Sequence, residues 1–247
     1  PFEFNNENAR KRLPMLSVFK FHIGLTTLHL VDQNRLKLNQ KFLIKKEDLH
    51  EKTYSPLRDQ RPEGNFEMTL DELLYYTVSL SDNNTTDILL KILGGTKTVQ
   101  KFMNSKKVKT FQIKYNEQQM HQGPEFFYPN YTSAKSLSQL YKEFYNSKML
   151  SEKSTKYLYQ TLLKTSTGQN KLAEQLPKNS VAHKTGASGK SDNGLTVAEN
   201  DSGIITTPNG KHYAITVFVS DSMESETTNC KMISDISKTV WDFLAKN

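Results

Sequence analysis

The chain has 247 residues, 36% hydrophobic and 24% charged, a balance that suits a soluble globular protein with one large core, built as one domain or as two lobes. No run of about 18 apolar residues occurs, so nothing is expected to span a membrane. The single cysteine, Cys230, excludes an internal disulfide and a cysteine-based metal site. The formal net charge of +7 would suit nucleic acid or an anionic surface. The lysines are scattered, however, at Lys101, Lys106, Lys107, Lys109, Lys114, Lys164, Lys171 and Lys190 among others, which is the pattern of a solvated surface. No nucleic-acid partner is expected, and a mild positive field favours a small anionic substrate.

The elements follow in order. Leu16 to Val31 is apolar nearly all round and predicts a buried helix, its start set by Pro14. Amphipathic helices are predicted over Leu70 to Val78 and over Thr85 to Leu93, the second stopped by Gly94 and Gly95. Further helices are expected over Thr98–Asn104, Ser133–Tyr145 and Ser151–Leu163. Between them, roughly Phe111 to Tyr131 is a long aperiodic segment of the kind that is often functional. After residue 178 the period changes. Val181–Ser188, Leu195–Thr206 and His212–Ser220 read as strands, with Pro208-Asn209-Gly210 as a hairpin turn and both faces of the last strand covered. A final helix carries Ile233, Ile236, Val240, Trp241 and Leu244 on one face, and Phe2-Glu3-Phe4 reads as the remnant of another strand. The predicted class is α+β: an antiparallel sheet flanked by helices in an α/β lobe of about residues 1–20 and 165–247, and an all-helical lobe of about 21–164, together one domain.

Three short motifs carry the chemistry. Ser17-Val-Phe-Lys20 places a hydroxyl at the start of the buried helix and an amine one turn higher on the same face. A serine needs a neighbour to take its proton, and an amine desolvated in an apolar helix is pushed toward the neutral form that can do so. Alone, the pair reads equally as a capping serine and a snorkelling lysine. Ser81-Asp82-Asn83 lies between two helices. It is either an ordinary cap or a second proton-handling hydroxyl with an amide to hold substrate and Asp82 bracing the loop. Lys184-Thr185-Gly186 sits on a predicted strand, where Lys184 and Thr185 could hold a carboxylate and Gly186 would let a ligand approach the backbone. The N–H groups of Ala187 and Ser17 could form an oxyanion hole. In this order the three describe a serine acyl-transfer site. The six histidines show no zinc spacing, and His22 and His29 are expected to be packed in the buried helix.

From about Arg12 to its end the chain resembles the class A serine β-lactamases, which share this trio with penicillin-binding proteins. It is most similar to their extended-spectrum PER and VEB subgroup. The resemblance rests on Leu13 to Phe21, Tyr76 to Asn83, Asn116-Glu117-Gln118-Gln119-Met120-His121 and Val181 to Gly189. It implies a two-lobed fold and hydrolysis of penicillins and cephalosporins through an acyl-enzyme, giving antibiotic resistance, with no cofactor or metal. Ser17, Lys20, Ser81 and Glu117 would be catalytic together with the Ala187 N–H, Glu117 activating the deacylating water from an Ω loop. Tyr54, Asn83, His121, Lys171, Lys184, Thr185 and Ser188 would bind substrate. Most class A enzymes carry Asn where this chain has His121, a departure shared with the subgroup. Lys171 stands for the usual arginine and keeps its charge without the bidentate fork, and Ser202 occupies the alternative arginine position. A D,D-peptidase or a non-hydrolysing β-lactam receptor shares the trio and stays open as a reading.

The substrate class implies a periplasmic or secreted protein, and a monomer is expected. The chain begins at Pro1 with no signal peptide, as a processed or trimmed product would. Class A enzymes have a helix and a strand ahead of the segment that opens this chain. Their loss would expose core surface and a sheet edge, so an incomplete chain is expected rather than a reduced fold.

Overall fold

The computed structural model describes residues 5–246; the expected strand remnant at Phe2-Glu3-Phe4 lies outside the described residues. In chain order, β1 (Leu13–Pro14) runs into a 3-10 turn (Leu16–Val18) and then α1 (Phe19–Asp32). Next come β2 (Lys41–Ile44), α2 (Pro56–Gln60), β3 (Phe66–Thr69), α3 (Leu70–Val78), α4 (Asn83–Leu93) and α5 (Thr96–Ser105). The middle segment holds β4 (Phe111–Gln112), α6 (Glu117–Met120) and β5 (Tyr131–Thr132), followed by α7 (Ala134–Tyr145) and α8 (Glu152–Leu163). The chain closes with β6 (Val181–Ala187), β7 (Thr196–Thr206), β8 (His212–Ser222) and α9 (Glu226–Lys246).

Burial explains why α1 sits at the centre. Every residue from Phe19 to Leu28 is buried. Its Gly24 lets α3 and α8 come close: a Cβ there would lie 3.3 Å from Val78 and 3.2 Å from Leu158. Caps follow the expected chemistry. Ser133 and Ser151 accept N–H bonds at the starts of α7 and α8, and Gly94 ends α4 at φ +83°. Thr69 and Glu72 form a capping box on α3.

β6, β7 and β8 form an antiparallel sheet in that order, Lys184 opposite Ser202 and Gly186 opposite Asn200. One face carries Ala182 and Ile204 into the main core around α1. The other carries Val181, Ile205, Ile215 and Val217 onto Ile233 and Trp241 of α9. Ile236 is 46% exposed, so the expected apolar face of the last helix is corrected: Ser234 and Ser237 fill the buried stripe, and the Ser237 hydroxyl donates to the Leu172 carbonyl (2.8 Å). The hairpin turn is where the sequence puts it, with Gly210 at φ +77°.

The aperiodic segment is closed at its neck. β4 pairs with β5, and β5 pairs with β1, so the neck is tied to the strand that precedes Ser17. Asn130 completes the closure. Its Oδ1 accepts the N–H groups of Lys114 and Tyr115 (2.7 and 2.9 Å), its Nδ2 donates to the Tyr115 carbonyl (2.8 Å), and its own carbonyl accepts the Met15 N–H (2.9 Å).

Candidate active site

The 3-10 turn that bears Ser17 is pressed against β6. A Cβ on Gly186 would fall 2.5 Å from the Met15 carbonyl oxygen and 3.1 Å from the Ser17 nitrogen. The close neighbour that requires glycine is the chain's own Ser17 turn, where the sequence suggested a ligand. The contact also sets two backbone donors near each other. Ser188 N–H bonds to Ala198 of β7 (2.9 Å). By the alternation of an antiparallel ladder, Ala187 N–H points off the free edge of β6, toward this turn. Ser17 N–H lies in the first turn of a helix, where N–H groups lack an intrahelical partner. Leu16, just before it, is held at φ +46°, a left-handed backbone that is rare for a branched side chain.

Lys20 is wholly buried, as its apolar helix implies, but it is not surrounded by hydrocarbon. Its Nζ donates to the Ser81 carbonyl (2.7 Å) and Asn83 Oδ1 (2.5 Å) and pairs in charge with Glu117 Oε1 at 2.9 Å. Ser81 Oγ lies 3.4 Å from the same nitrogen. From the other side, Lys184 Nζ donates to Ser81 Oγ (2.8 Å). Ser81 thus stands between two buried amines, in a backbone conformation (φ +59°) that side chains seldom adopt. Asp82 braces it. Its carboxylate accepts from Ser55 Oγ, Leu57 N–H and Thr85 N–H (2.8, 2.8 and 2.9 Å), locking the loop at 53–57 onto α4.

Glu117 opens α6, and Asp87 of α4 holds that helix end by accepting the N–H groups of Glu117 and Gln118 (2.8 and 2.9 Å). Burial and the nearby Glu117 charge push Asp87 up to about 7. His121 is exposed, and Nδ1 donates to the Glu117 carbonyl (2.7 Å). That leaves Nε2 to accept the Thr53 hydroxyl (3.1 Å), which itself accepts Asn83 Nδ2 (2.7 Å). A cavity of about 480 Å³ lies alongside this chain of bonds rather than over Ser17; Thr53, Asn83, Asp87, Glu117 and His121 line part of it. Tyr54 is 55% exposed, and its carbonyl accepts Asn83 N–H (3.0 Å).

Lys184 is fully buried, and no carboxylate lies within 4.0 Å of it among the described residues. Its other contact is the Thr185 carbonyl (3.0 Å). Burial, with the Lys20 charge adding to it, holds Lys184 well below the ordinary lysine range. Thr185 shares a 2.6 Å hydroxyl contact with Thr167.

Two expected substrate contacts come out differently. Lys171 and Thr185 both pack against Gly168, where a Cβ would fall 3.1 Å from Lys171 Cδ and 2.6 Å from Thr185 Cγ2. But the Lys171 ammonium is taken by Glu199 in a pair whose side chains are 6% and 4% exposed. It is not a free cation facing the cleft. The Ser188 hydroxyl turns back onto its own hairpin, donating to the Gly189 carbonyl (2.7 Å). Behind β7, ligand atoms of Glu199, Glu226 and Cys230 lie within 4.8 Å of one another, but Lys171 already occupies Glu199. His22 is buried against Phe111 (ring centroids 4.4 Å apart) and His29 stacks on Phe102.

Sequence reasoning missed Thr53, Asp87 and Asn200. Only Asn200 left a trace: asparagine beside aspartate inside a strand is unusual.

A two-lobed α+β fold, a serine at the head of a buried helix, and a hydroxyl, Ser81, held between the buried Lys20 and Lys184 fit a serine hydrolase. The sequence model of the "Beta-lactamase enzyme family" matches residues 3–244, and the chain belongs to that family. It is 45% identical over 233 residues to Beta-lactamase VEB-1 of Pseudomonas aeruginosa, covering 93% of this chain and 77% of that protein. Against Extended-spectrum beta-lactamase PER-1 of Pseudomonas aeruginosa it is 37% identical over 240 residues, covering 97% and 78%. Its structure matches that of TLA-3 extended-spectrum beta-lactamase with a TM-score of 0.95 at 44% identity, over 97% of this chain and 88% of the other.

Proposed function

We propose that this chain hydrolyses the β-lactam ring of penicillins and cephalosporins through an acyl-enzyme on Ser17, and so confers antibiotic resistance. The observation that supports this reading is the contact between Lys20 and Glu117 (2.9 Å): the two groups proposed to move protons in acylation and deacylation lie in one buried network with Ser81. Ser17 Oγ attacks the lactam carbonyl and gives up its proton to that network. The carbonyl oxygen takes the charge between the N–H groups of Ser17 and Ala187. The C–N bond breaks, and Ser81 delivers a proton to the leaving nitrogen. Glu117 then takes a proton from water as it attacks the ester; as the ester C–O bond breaks, that proton passes back through Lys20 to Ser17 Oγ, restoring both groups.

Lys184 and Thr185 hold the substrate carboxylate: Lys184 is buried with no carboxylate beside it among the described residues, and it binds substrate in its protonated form. Asn83 holds the substrate amide, and Tyr54 and His121 line the mouth. Lys171 packs with Thr185 against Gly168 rather than acting on substrate, its charge being matched by Glu199. Cephalosporins of extended spectrum are the proposed preference, since PER-1 and TLA-3 are named for that spectrum. The lobes are proposed to divide at about 20 and 165, and the protein to act as a periplasmic or secreted monomer. Among the described residues no helix is long and apolar enough to cross a membrane.

The test is a time course with a chromogenic cephalosporin followed by intact-mass spectrometry. Many turnovers with little lasting adduct are expected. One equivalent consumed and a stable adduct on Ser17 would indicate a D,D-peptidase or a β-lactam receptor instead.

A further inference from the structure

Asn200 lies in the middle of β7, opposite Gly186 of β6. It is fully buried, and its side-chain amide leaves the sheet altogether. Nδ2 donates to two successive carbonyls, Pro14 (2.9 Å) and Met15 (3.3 Å), in the segment that leads into Ser17. Oδ1 is buried, without a hydrogen-bond partner among the described residues.

What the donor does is local. The next residue, Leu16, is in the left-handed conformation at φ +46°, and a branched side chain stays there only when its surroundings over-determine it. Asn200 fixes the carbonyls on the entering side of that strained residue. Gly186 fixes the same spot from β6, since its missing Cβ leaves room for the Met15 carbonyl and the Ser17 nitrogen. The direction of the Ser17 N–H therefore depends on two neighbours across one face of the sheet, one supplying absence of bulk and the other a forked donor.

We infer that Asn200 is a positioning residue for the reaction: by gripping the Pro14 and Met15 carbonyls it holds Leu16 in its strained conformation and aims the Ser17 hydroxyl and N–H at the reacting carbonyl. This deepens the acyl-transfer reading and rests on it. Asn200 is buried beneath Gly186 and acts through the backbone only.

The test uses Asn200→Ala and Asn200→Ser, the second keeping one donor. Three quantities are measured on each: kcat/KM for a cephalosporin, the affinity of phenylboronic acid, and the thermal midpoint. The boronic acid forms a tetrahedral adduct on Ser17 and needs the oxyanion site but not deacylation, so it reads positioning even where turnover is slow. Misplacing a nucleophile and one oxyanion donor is expected to cost about 10- to 100-fold. For Asn200→Ala, kcat/KM and boronic acid affinity should fall together by that factor while the midpoint moves little. Asn200→Ser should recover part of both. Unchanged boronic acid affinity and kcat/KM in folded variants would overturn the inference, as would failure of both variants to fold, which would make Asn200 a scaffold residue. A parent that binds the boronic acid but does not turn over the cephalosporin would contradict the proposed hydrolysis and leave the positioning of Ser17 to be judged by the boronic acid alone.

Discussion

Lys20 Nζ stands 2.9 Å from Glu117 Oε1, with side chains 0% and 6% exposed. The pair joins the head of the central helix to the loop that closes at Asn130. Both groups are almost wholly buried, so deletion of one leaves the other charge without its partner. Lys20→Met is expected to destabilise the protein by about 3–5 kcal/mol, and combining it with Glu117→Gln should recover part of that loss. Thermal unfolding of the two single variants and the double variant checks this; additive losses would mean that the pair is not coupled.

Lys184 sets a pH dependence on substrate binding. Its folded pKa lies below the ordinary lysine value of 10.5 because burial disfavours the ammonium. A substrate carboxylate needs that ammonium. KM for an anionic cephalosporin should therefore rise as pH climbs through the lowered pKa, well before ordinary lysines titrate. The sign for stability is opposite. Between the lowered pKa and 10.5 the unfolded chain binds the proton more readily, so this group's penalty on folding lessens as pH rises. Lys184→Ala should raise KM by about 10- to 100-fold for loss of a charged contact and abolish the alkaline limb. A methyl ester of the same substrate should show neither effect. Measured KM–pH profiles decide it.

The Lys171–Glu199 pair yields a stability cycle. Glu199→Gln leaves a buried cation without its partner and should lower stability by about 3 kcal/mol or more, about 10 °C in midpoint for a chain of this size. Replacing both residues by methionine should restore most of the loss, as buried pairs often exchange for apolar groups at little net cost. If Glu199→Gln is neutral, the pair is not buried in solution as it is in the fold.

His22 limits stability in acid. Burial pushes its imidazole from 6.5 down to about 3. Between those values the unfolded chain takes up a proton that the folded chain refuses, so stability falls as pH drops through that window. At about 1.4 kcal/mol per pKa unit the loss is several kcal/mol by pH 3. Phenylalanine keeps the stack on Phe111, and His22→Phe should flatten this part of the acid limb in urea titrations. An unchanged acid limb would place the pH dependence elsewhere.

Long periodic segments were legible from the residues. α3 runs over Leu70–Val78 as its apolar spacing implies, and β6 to β8 follow the change of period after 178. β1, β4 and β5 were not, because a two-residue strand has no period and exists only through its partners. α6 hid in the aperiodic segment for the same reason: four residues carry no pattern, and its start depends on Asp87 thirty positions away. At the site, motif spacing placed Ser17, Lys20, Ser81 and Lys184 in one reading. The charge on Lys171 was legible, but its pairing with Glu199 was not, since the register of the sheet makes it. Ile236 misled because the apolar stripe of α9 is completed by two serines, Ser237 bonding to the Leu172 carbonyl and Ser234 accepting from the Gln175 side chain.

The most direct measurement is Glu117→Gln with a cephalosporin, following turnover and intact mass together. The variant should acylate on Ser17, hold one equivalent of adduct, and lose about 10²- to 10⁴-fold in kcat for want of its general base. A variant that turns over at the parent's rate without accumulating adduct would contradict the role of Glu117, and with it the account of how this site completes hydrolysis.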